Sequence, residues 1–236
     1  MSTILICGDS WGRGEWNVEC TEILHPGLEL YLRDDGHTVI NLSKGACSNL
    51  DCIYRINLWF ERFNDIKVDT IIIFQTEYTR DIKHAEDNDW NVNTLAELSS
   101  LWIARFYYRL QEIAEKHKCK IKIIGGCSDT DFFDDMENDH PGCEIVCQSL
   151  VSLIIEDNPR PEIPVFSWYA KDSEKVLQKI KKNITNTEEL ILAINQGLDR
   201  EWALRANPEW FYPDGKHPNR HGHRKLYGFL LDNLLL

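Results

Sequence analysis

The sequence has no run of apolar residues long enough to cross a membrane. Its richest apolar segment, Ile145–Ile155, is interrupted by Gln148, Ser149 and Ser152, whereas a spanning helix needs about 18 or more apolar residues. The first residues, Met1–Gly8, also lack the basic segment of a signal peptide, and their apolar stretch is too short for one. We therefore expect a cytoplasmic protein that does not bind membranes.

Positive charge is also scarce. The 236 residues include 26 Lys and Arg against 38 Asp and Glu, which gives a formal net charge of -12. A chain with this charge repels the phosphates of nucleic acids and of anionic lipids. We therefore expect neither as a partner, and predict a small-molecule ligand or substrate instead.

The glycine patterns that hold phosphates are missing as well. Neither G-x-G-x-x-G nor G-x4-G-K-[ST] occurs, which argues against a nucleotide-binding module. Eight cysteines are present. In a chain without an export signal, we expect these thiols to be reduced and mostly buried.

Three groups of side chains have spacings that could suit a metal ion: His140 with Cys143 and Cys147, His217 with His221 and His223, and Asp129 with Asp131. The first group lacks a fourth zinc ligand nearby, and the second lacks a carboxylate or cysteine of established proximity. The third lacks the glycine of a calcium-binding loop. We therefore expect no metal and no organic cofactor.

Apolar segments that end in polar, turn-rich stretches alternate with segments of helical periodicity, which predicts an open α/β sheet. The predicted strands are Thr3–Cys7, His37–Leu42, Val68–Phe74 and Lys120–Ile124. The third strand is uniformly apolar, as expected for a central parallel strand that is buried on both faces.

Helical periodicity is clearest between the third and fourth predicted strands. Apolar residues recur there at spacings of three and four: Leu95, Leu98, Trp102, Phe106, Leu110 and Ile113. Two further helices are predicted, one around Pro26–Asp34 and a last one that begins at Asn219. The segment Ile145–Ile155 is either a fifth strand or a buried helix, because so short an apolar run does not reveal its period.

Three prolines, at positions 159, 161 and 164, force an extended linker after this segment. Helical patterns follow at Ser173–Lys182 and Thr187–Arg205. We interpret residues 1–236 as a single domain with a helical insertion around residues 156–210.

A serine directly follows the first predicted strand, in the segment Gly8-Asp9-Ser10-Trp11-Gly12. Open α/β sheets bind ligands beyond the carboxyl ends of their strands, so the position itself indicates function. The segment also matches the G-x-S-x-G elbow of the α/β-hydrolases. That fold needs strands before the elbow, however, and only seven residues precede Gly8.

A second motif lies near the other end, in Asp214-Gly215-Lys216-His217-Pro218. A spacing of three residues lets Asp214 lie beside His217 and fix its tautomer, and Pro218 stiffens the exit from the motif. Each motif alone is common. Their joint occurrence, one after the first strand and one before the last helix, is specific.

Together the two motifs resemble those of the GDSL-type, or SGNH, hydrolase family, and the resemblance spans the chain. It implies a flavodoxin-like three-layer α/β/α fold with a mainly parallel sheet, and ester hydrolysis through a covalent acyl-enzyme. Carried over by position, Ser10 becomes the nucleophile, His217 the general base and acid, and Asp214 the group that orients His217. Gly45, after the second strand, matches the glycine whose backbone N–H joins that of Ser10 in the oxyanion hole.

The sequence departs from this family after the third strand. Where the family has Gly-x-Asn-Asp, the chain reads Gln75-Thr76-Glu77-Tyr78-Thr79-Arg80. The oxyanion asparagine is therefore missing, and losing one such donor can cost roughly 10²–10³ in rate. Gln75, Thr76 and Tyr78 could donate instead, and we favour Thr76 or Tyr78.

Aromatic residues flank both motifs: Trp11, Trp16, Trp210, Phe211 and Tyr212. Such side chains could stack on a sugar or acyl group, although core packing explains them equally well. We predict Trp11, Glu77 and Arg80 as substrate-binding residues and favour an O-acetylated carbohydrate as the substrate. The alternative is a catalytically degenerate domain of this family that binds a ligand or a protein partner.

Overall fold

The structure is a computed structural model that describes residues 1–76, 92–126, 142–147, 150, 153, 208–211 and 217–233. The strands within these ranges are β1 (Thr3–Cys7), β2 (Glu15–Trp16), β3 (Ile23–His25), β4 (Thr38–Asn41), β5 (Thr70–Gln75), β6 (Lys120–Gly125) and β7 (Cys143–Cys147). The α-helices are α1 (Leu28–Asp34), α2 (Asn49–Arg62), α3 (Val92–His117), α4 (Pro208–Phe211) and α5 (Arg220–Asp232).

Five strands form one parallel sheet in the order β4-β1-β5-β6-β7. The chain therefore starts near the centre, steps out to one edge and then returns to build the other side, which is the flavodoxin-like order. The predicted α/β fold is confirmed. Because parallel strands all point the same way, the segments that follow β1, β4 and β5 meet at one edge of the sheet.

Helices cover both faces of the sheet. Alternate residues of the central strands, such as Ile71 and Ile73, face a core formed with α2 and α3. Their neighbours Ile72 and Phe74 face the opposite core, formed with α1, α4 and α5. Strands buried on both faces need uniformly apolar sequences, which is why β5 lacks an alternating pattern.

Most predicted strands and helices form within a few residues of the expected bounds. The first strand has the predicted ends, and β5 begins at Thr70, two residues later than expected. The ambiguous segment contains both kinds of structure: β7 runs to Cys147, and Leu150 and Leu153 are helical. The predicted insertion falls almost entirely outside the described residues.

Two helices begin with caps that fix their starting points. Ser48 caps α2 in a capping box with Asp51, in which each side chain accepts a hydrogen bond from the other residue's backbone N–H. Asn219 caps α5 by accepting two backbone N–H groups at 2.9 and 3.1 Å. None of the described helices is long and apolar enough to cross a membrane.

Candidate active site

The predicted nucleophile lies in a tight turn at the end of β1. Ser10 begins a single 3-10 turn, and the buried Asp9 caps that turn by accepting the Trp11 N–H at 2.8 Å. A side chain at Gly8 would meet the Cβ of Phe74 at 2.6 Å. Only glycine therefore lets the turn lie so close to β5, and the half-buried Ser10 is held at the edge of the sheet.

The histidine of the second motif lies directly beside this serine. The Nε2 atom of His217 is 2.8 Å from the Oγ atom of Ser10, across 207 residues of sequence. The distance is that of a hydrogen bond between a base and its nucleophile. Asp214 lies outside the described residues, so its orienting role stays a prediction.

Asn219 fixes the chain just after His217. Its backbone N–H donates to the carbonyl oxygen of Trp210 at 2.7 Å, and its side-chain amide donates to that of Glu209 at 2.8 Å. The same side chain caps α5 through its oxygen. Asn219 therefore links α4 to the start of α5, two residues after His217.

An ion pair that the sequence analysis missed joins β2 to the first residue of α5. Arg220 donates to the Glu15 carboxylate from its backbone N–H, Nε and a terminal guanidinium nitrogen, at 2.7, 2.8 and 2.9 Å. Burial alone would raise the pKa of Glu15, but the hydrogen bonds and charge of Arg220 outweigh it and hold that pKa below its ordinary value. Glu15 and Arg220 are 205 positions apart, so no local sequence pattern indicates that they form an ion pair.

Trp16 forms one wall of the site. Its indole N–H donates to the backbone carbonyl of Ser10 at 2.9 Å, and its ring centroid is 5.7 Å from that of His217. The far end of the same indole approaches Gly45, where an added Cβ would lie 3.9 Å from the Cη2 atom of Trp16. A single half-buried ring thus lies beside Ser10, His217 and the predicted oxyanion glycine, Gly45.

The loop that contains Gly45 is attached to the nucleophile turn. The backbone N–H of Lys44 donates to the carbonyl oxygen of Gly8 at 3.0 Å, and the Asn41 side chain donates to that of Gly12 at 2.9 Å. Gly45 itself is exposed. The structure therefore brings together the segments of Ser10, Gly45 and His217.

The end of β5 is held by an asparagine of α2. Asn49 is buried, its Oδ1 accepts the Thr76 N–H, and its Nδ2 donates to the Thr76 carbonyl, both at 2.9 Å. Thr76 is also buried. Its backbone N–H already donates to Asn49, so the group of Thr76 that could donate to an oxyanion is its hydroxyl. Gln75 accepts a hydrogen bond from the hydroxyl of Tyr107 at 3.0 Å. Glu77, Tyr78 and Arg80 lie outside the described residues.

Trp11 does not have the position predicted for a substrate-binding residue. It is only 2% exposed and packs against Phe211, with ring centroids 6.1 Å apart. Trp11 therefore belongs to the core beneath the nucleophile turn. The aromatic side chain that borders Ser10 is Trp16, a residue in the predicted aromatic group but not among the predicted substrate contacts.

The three clustered histidines do not converge on one point. His217 faces Ser10, whereas His221 is exposed and His223 is fully buried on α5. Burial lowers the pKa of His223 to about 3, so its imidazole is neutral. Its ring packs so closely on Gly27 that an added Cβ there would lie 2.6–2.8 Å from the ring atoms.

The other two candidate metal groups fall largely outside the described residues. His140, Asp129 and Asp131 are not described. Cys143 and Cys147 are the two ends of β7, which at about 3.3 Å per residue places their backbones roughly 13 Å apart. Within the described ranges, no three His, Cys, Asp or Glu side chains are grouped closely enough to hold a metal ion.

No family model and no curated protein matches the sequence. Solved structures that align with nearly the whole chain include a lipase/acylhydrolase from Enterococcus faecalis, 16% identical, over 99% of this chain and 95% of that one, with a TM-score of 0.41. A psychrotrophic esterase EstA from Pseudoalteromonas sp. is 10% identical, over 100% and 97% of the chains, with a TM-score of 0.42. The acetyl xylan esterase AlAXEase is 15% identical, over 98% and 99%, with a TM-score of 0.38. We base the functional proposal on this chain's own residues.

Proposed function

We propose that this protein is a serine ester hydrolase of the SGNH type, with Ser10 as the nucleophile and His217 as the general base and acid. The observation that supports this proposal most directly is the 2.8 Å contact between Ser10 Oγ and His217 Nε2. The two residues come from opposite ends of the chain: Ser10 is in the turn that Asp9 caps, and His217 lies two residues before Asn219, the cap of α5. A chance contact between two surface residues would not be expected to have both side chains held in fixed positions.

In the proposed reaction, the Ser10 hydroxyl attacks the ester carbonyl while His217 takes the hydroxyl proton at Nε2. A neutral imidazole can accept there only when its own proton is on Nδ1, and Asp214 would hold that proton. His217 then gives its proton to the leaving alcohol, which leaves an acyl group on Ser10. Water, activated by the same histidine, hydrolyses the acyl-enzyme and regenerates the serine.

The negative oxygen of the tetrahedral intermediate needs fixed donors. We assign two of them to the backbone N–H groups of Ser10 and Gly45, because the Lys44 to Gly8 hydrogen bond holds their two loops together. The third would be a side chain at the end of β5, Thr76 or Tyr78, which replaces the missing asparagine. The hydroxyl of either residue is chemically able to do so.

The position of Trp16 supports a substrate with a flat or ring-shaped alcohol. His217 must protonate the leaving alcohol, so that alcohol lies next to the imidazole, and the Trp16 ring is packed against the same imidazole. Sugar rings stack readily on indole faces. We therefore propose an O-acetylated carbohydrate as the substrate, and a cytoplasmic protein that needs no metal or cofactor.

A fluorophosphonate probe tests the nucleophile without knowledge of the substrate. It should label wild type at Ser10, and both Ser10→Ala and His217→Ala should lose the label. Ser2→Ala is the matched control, because Ser2 precedes the amino end of the same strand. Labelling that survives in a folded Ser10→Ala protein would place the chemistry elsewhere.

Hydrolysis of a short-chain aryl ester provides the second measurement. Ser10→Ala should abolish turnover while its far-ultraviolet circular dichroism stays that of wild type. If wild type neither takes the probe nor hydrolyses the ester, the alternative is supported: a degenerate domain that binds a ligand or a protein. The observation that favours this second candidate is the absence, after the third predicted strand, of the family's oxyanion asparagine.

A further inference from the structure

The Cys52 thiol lies between those of Cys7 and Cys47, beneath the loop that contains Gly45. Cys52, on the second turn of α2, is fully buried, and its side chain forms hydrogen bonds with the side chains of Cys47 and Cys7. The Cys7 thiol also donates to the Cys52 carbonyl oxygen at 3.8 Å. None of the seven cysteines in the described ranges forms a disulfide. A direct contact between two reduced thiols is the arrangement from which a disulfide can form.

The three cysteines differ in reactivity. The hydrogen bond from Cys52 lowers the pKa of Cys47, with help from Arg55 and against the effects of burial and of Asp51. The pKa of Cys52 is raised well above its ordinary value by its hydrogen bonds to Cys47 and Cys7 and by burial. Cys47 is therefore the more readily ionised of the two thiols, and Cys52 is its hydrogen-bonding partner.

We propose that Cys47 and Cys52 form a peroxide-reactive dithiol site. The Cys47 thiolate attacks one oxygen of a hydroperoxide, the O–O bond breaks, and Cys47 becomes a sulfenic acid. The sulfur of Cys52 then attacks the Cys47 sulfur, which releases water and forms the disulfide. Overall, the two thiols lose two protons and two electrons to form the disulfide, and with hydrogen peroxide as the oxidant two waters form.

Access and position favour Cys47 as the sulfur that reacts first. Cys47 is 4% exposed, and the three residues before it, Lys44, Gly45 and Ala46, are exposed, so it lies directly under a surface loop. Cys52 lies inside the core between α2 and the sheet. Peroxide therefore reaches Cys47 before Cys52.

Disulfide formation would also change the proposed active site. An S–S bond of about 2.05 Å requires the sulfurs to move closer than a thiol contact allows. Cys52 is fixed in a packed helix, so the loop must move, and Gly45 is two residues before Cys47. Insofar as Gly45 donates to the oxyanion, which rests on the proposed function, oxidation should lower kcat at least about tenfold with little change in KM.

Mass spectrometry tests the dithiol site independently of any hydrolase activity. Trypsin cleaves after Lys44 and Arg55, so one peptide, Gly45–Arg55, contains both cysteines. After mild hydrogen peroxide, blocking of remaining thiols in denaturant and digestion, this peptide should be 2 Da lighter and unblocked, and dithiothreitol should reverse the change. Ser10→Ala should give the same result, because the dithiol does not use the nucleophile.

Variants define the roles of the two sulfurs. Cys52→Ser should accumulate a sulfenic acid at Cys47 that dimedone traps, and Cys47→Ser should lose the reaction. Cys20→Ser, a half-buried thiol in the β2–β3 hairpin, is the matched control and should behave as wild type. A Cys7–Cys52 cross-link, or a Gly45–Arg55 peptide that stays fully blocked while other cysteines oxidise, would overturn the site. A disulfide that leaves kcat unchanged in an active enzyme would overturn its effect on the active site.

Discussion

Glu15 and Arg220 connect the two segments that lie on either side of Ser10. Trp16 follows Glu15 directly, and His217 precedes Arg220 by three residues, so the ion pair fixes the spacing between the Trp16 indole and the His217 imidazole. Glu15 is the buried partner, with 7% of its side chain exposed against 45% for Arg220. The pair therefore acts as a clamp between the β2–β3 hairpin and the start of α5.

The first prediction concerns this clamp. Glu15→Gln should lower the free energy of unfolding by about 1–3 kcal/mol, because charged hydrogen bonds are lost and a buried amide replaces a carboxylate. Arg224→Gln, an exposed arginine on the same helix, is the control and should change stability by less than about 0.5 kcal/mol. Urea denaturation at pH 7 measures both. Equal effects of the two substitutions would contradict the clamp.

The same variant should change the response to acid. The pKa of Glu15 is lower in the folded protein than its ordinary value of 4.5. The ion pair therefore contributes its full stabilisation of the folded state above about pH 4.5. The contribution is lost as pH falls through the lowered pKa. The stability difference between wild type and Glu15→Gln should therefore shrink below about pH 4.5. A constant difference down to pH 3 would show that the carboxylate is not the charged partner.

The second prediction concerns the buried histidine. Within the described residues, no group forms a well-aligned hydrogen bond with either ring nitrogen of His223, although the Gly14 backbone is near enough to favour the charged form. Unfolding lets this imidazole take up a proton below its ordinary pKa of 6.5, whereas the folded protein resists until about pH 3. Stability should thus fall with acidification across this window, by up to about 1.4 kcal/mol per pH unit.

Two leucine variants on α5 isolate this contribution. His223→Leu should remove the His223 part of the slope between pH 6.5 and 4, whereas His221→Leu, at an exposed neighbouring position, should keep it. Urea unfolding at several pH values gives the slopes. Parallel curves for all three proteins would mean that His223 is already protonated in the native state.

The third prediction concerns Asn49. Asn49→Ala leaves the N–H and carbonyl of Thr76 without their partner in a buried place, which should cost about 2–4 kcal/mol of unfolding free energy. Asn57→Ala, at a half-buried position of the same helix, should cost much less. Denaturant unfolding with an unchanged m-value checks the difference. Similar losses in both variants would show that the Thr76 contact contributes little.

The fourth prediction concerns substrate choice. Trp16→Leu should lower kcat/KM for an acetylated sugar relative to ethyl acetate by about tenfold, because only the sugar offers a ring for the indole to stack on. Trp16→Phe keeps a ring but loses the hydrogen bond to the Ser10 carbonyl, so it should retain most of the preference. Equal losses on the two substrates in Trp16→Leu would indicate that the indole positions the nucleophile and does not bind the alcohol.

The resemblance to the SGNH family depends on local signals. A serine after an apolar strand, a glycine after the next one, and an Asp-x-x-His before a helix each need only a short window of residues. The resemblance implied a flavodoxin-like sheet, and the strands have that order. It also implied that Ser10 and His217 lie together, and their side chains are 2.8 Å apart. The roles of these residues stay predictions.

The contacts that support the site could not be predicted this way. Glu15 and Arg220 are 205 residues apart, and the strands of the β2–β3 hairpin have only two and three residues, too few for an alternating pattern. The error at Trp11 has a similar cause. Trp11 lies in a three-residue 3-10 turn, where successive side chains point in different directions, so the sequence alone does not show whether it faces the core or the site.

The last prediction concerns the third oxyanion donor. Asn49 accepts a hydrogen bond from the Thr76 backbone N–H and donates one to the Thr76 carbonyl. A change to the Thr76 side chain should therefore leave the end of β5 in place. If the Thr76 hydroxyl stabilises the oxyanion, Thr76→Val should lower kcat at least about tenfold with little change in KM, the pattern of an interaction made mainly in the transition state.

Thr70→Val is the matched control for this experiment, because Thr70 begins β5 at the opposite end of the same strand. It should leave kcat unchanged. Tyr78→Phe tests the other candidate hydroxyl in the same assay. If Thr76→Val and Tyr78→Phe both retain full kcat, the oxyanion hole consists of the Ser10 and Gly45 backbone N–H groups alone. A Gly45→Pro variant, which lacks that N–H, should then lose nearly all turnover, since no third donor remains to compensate.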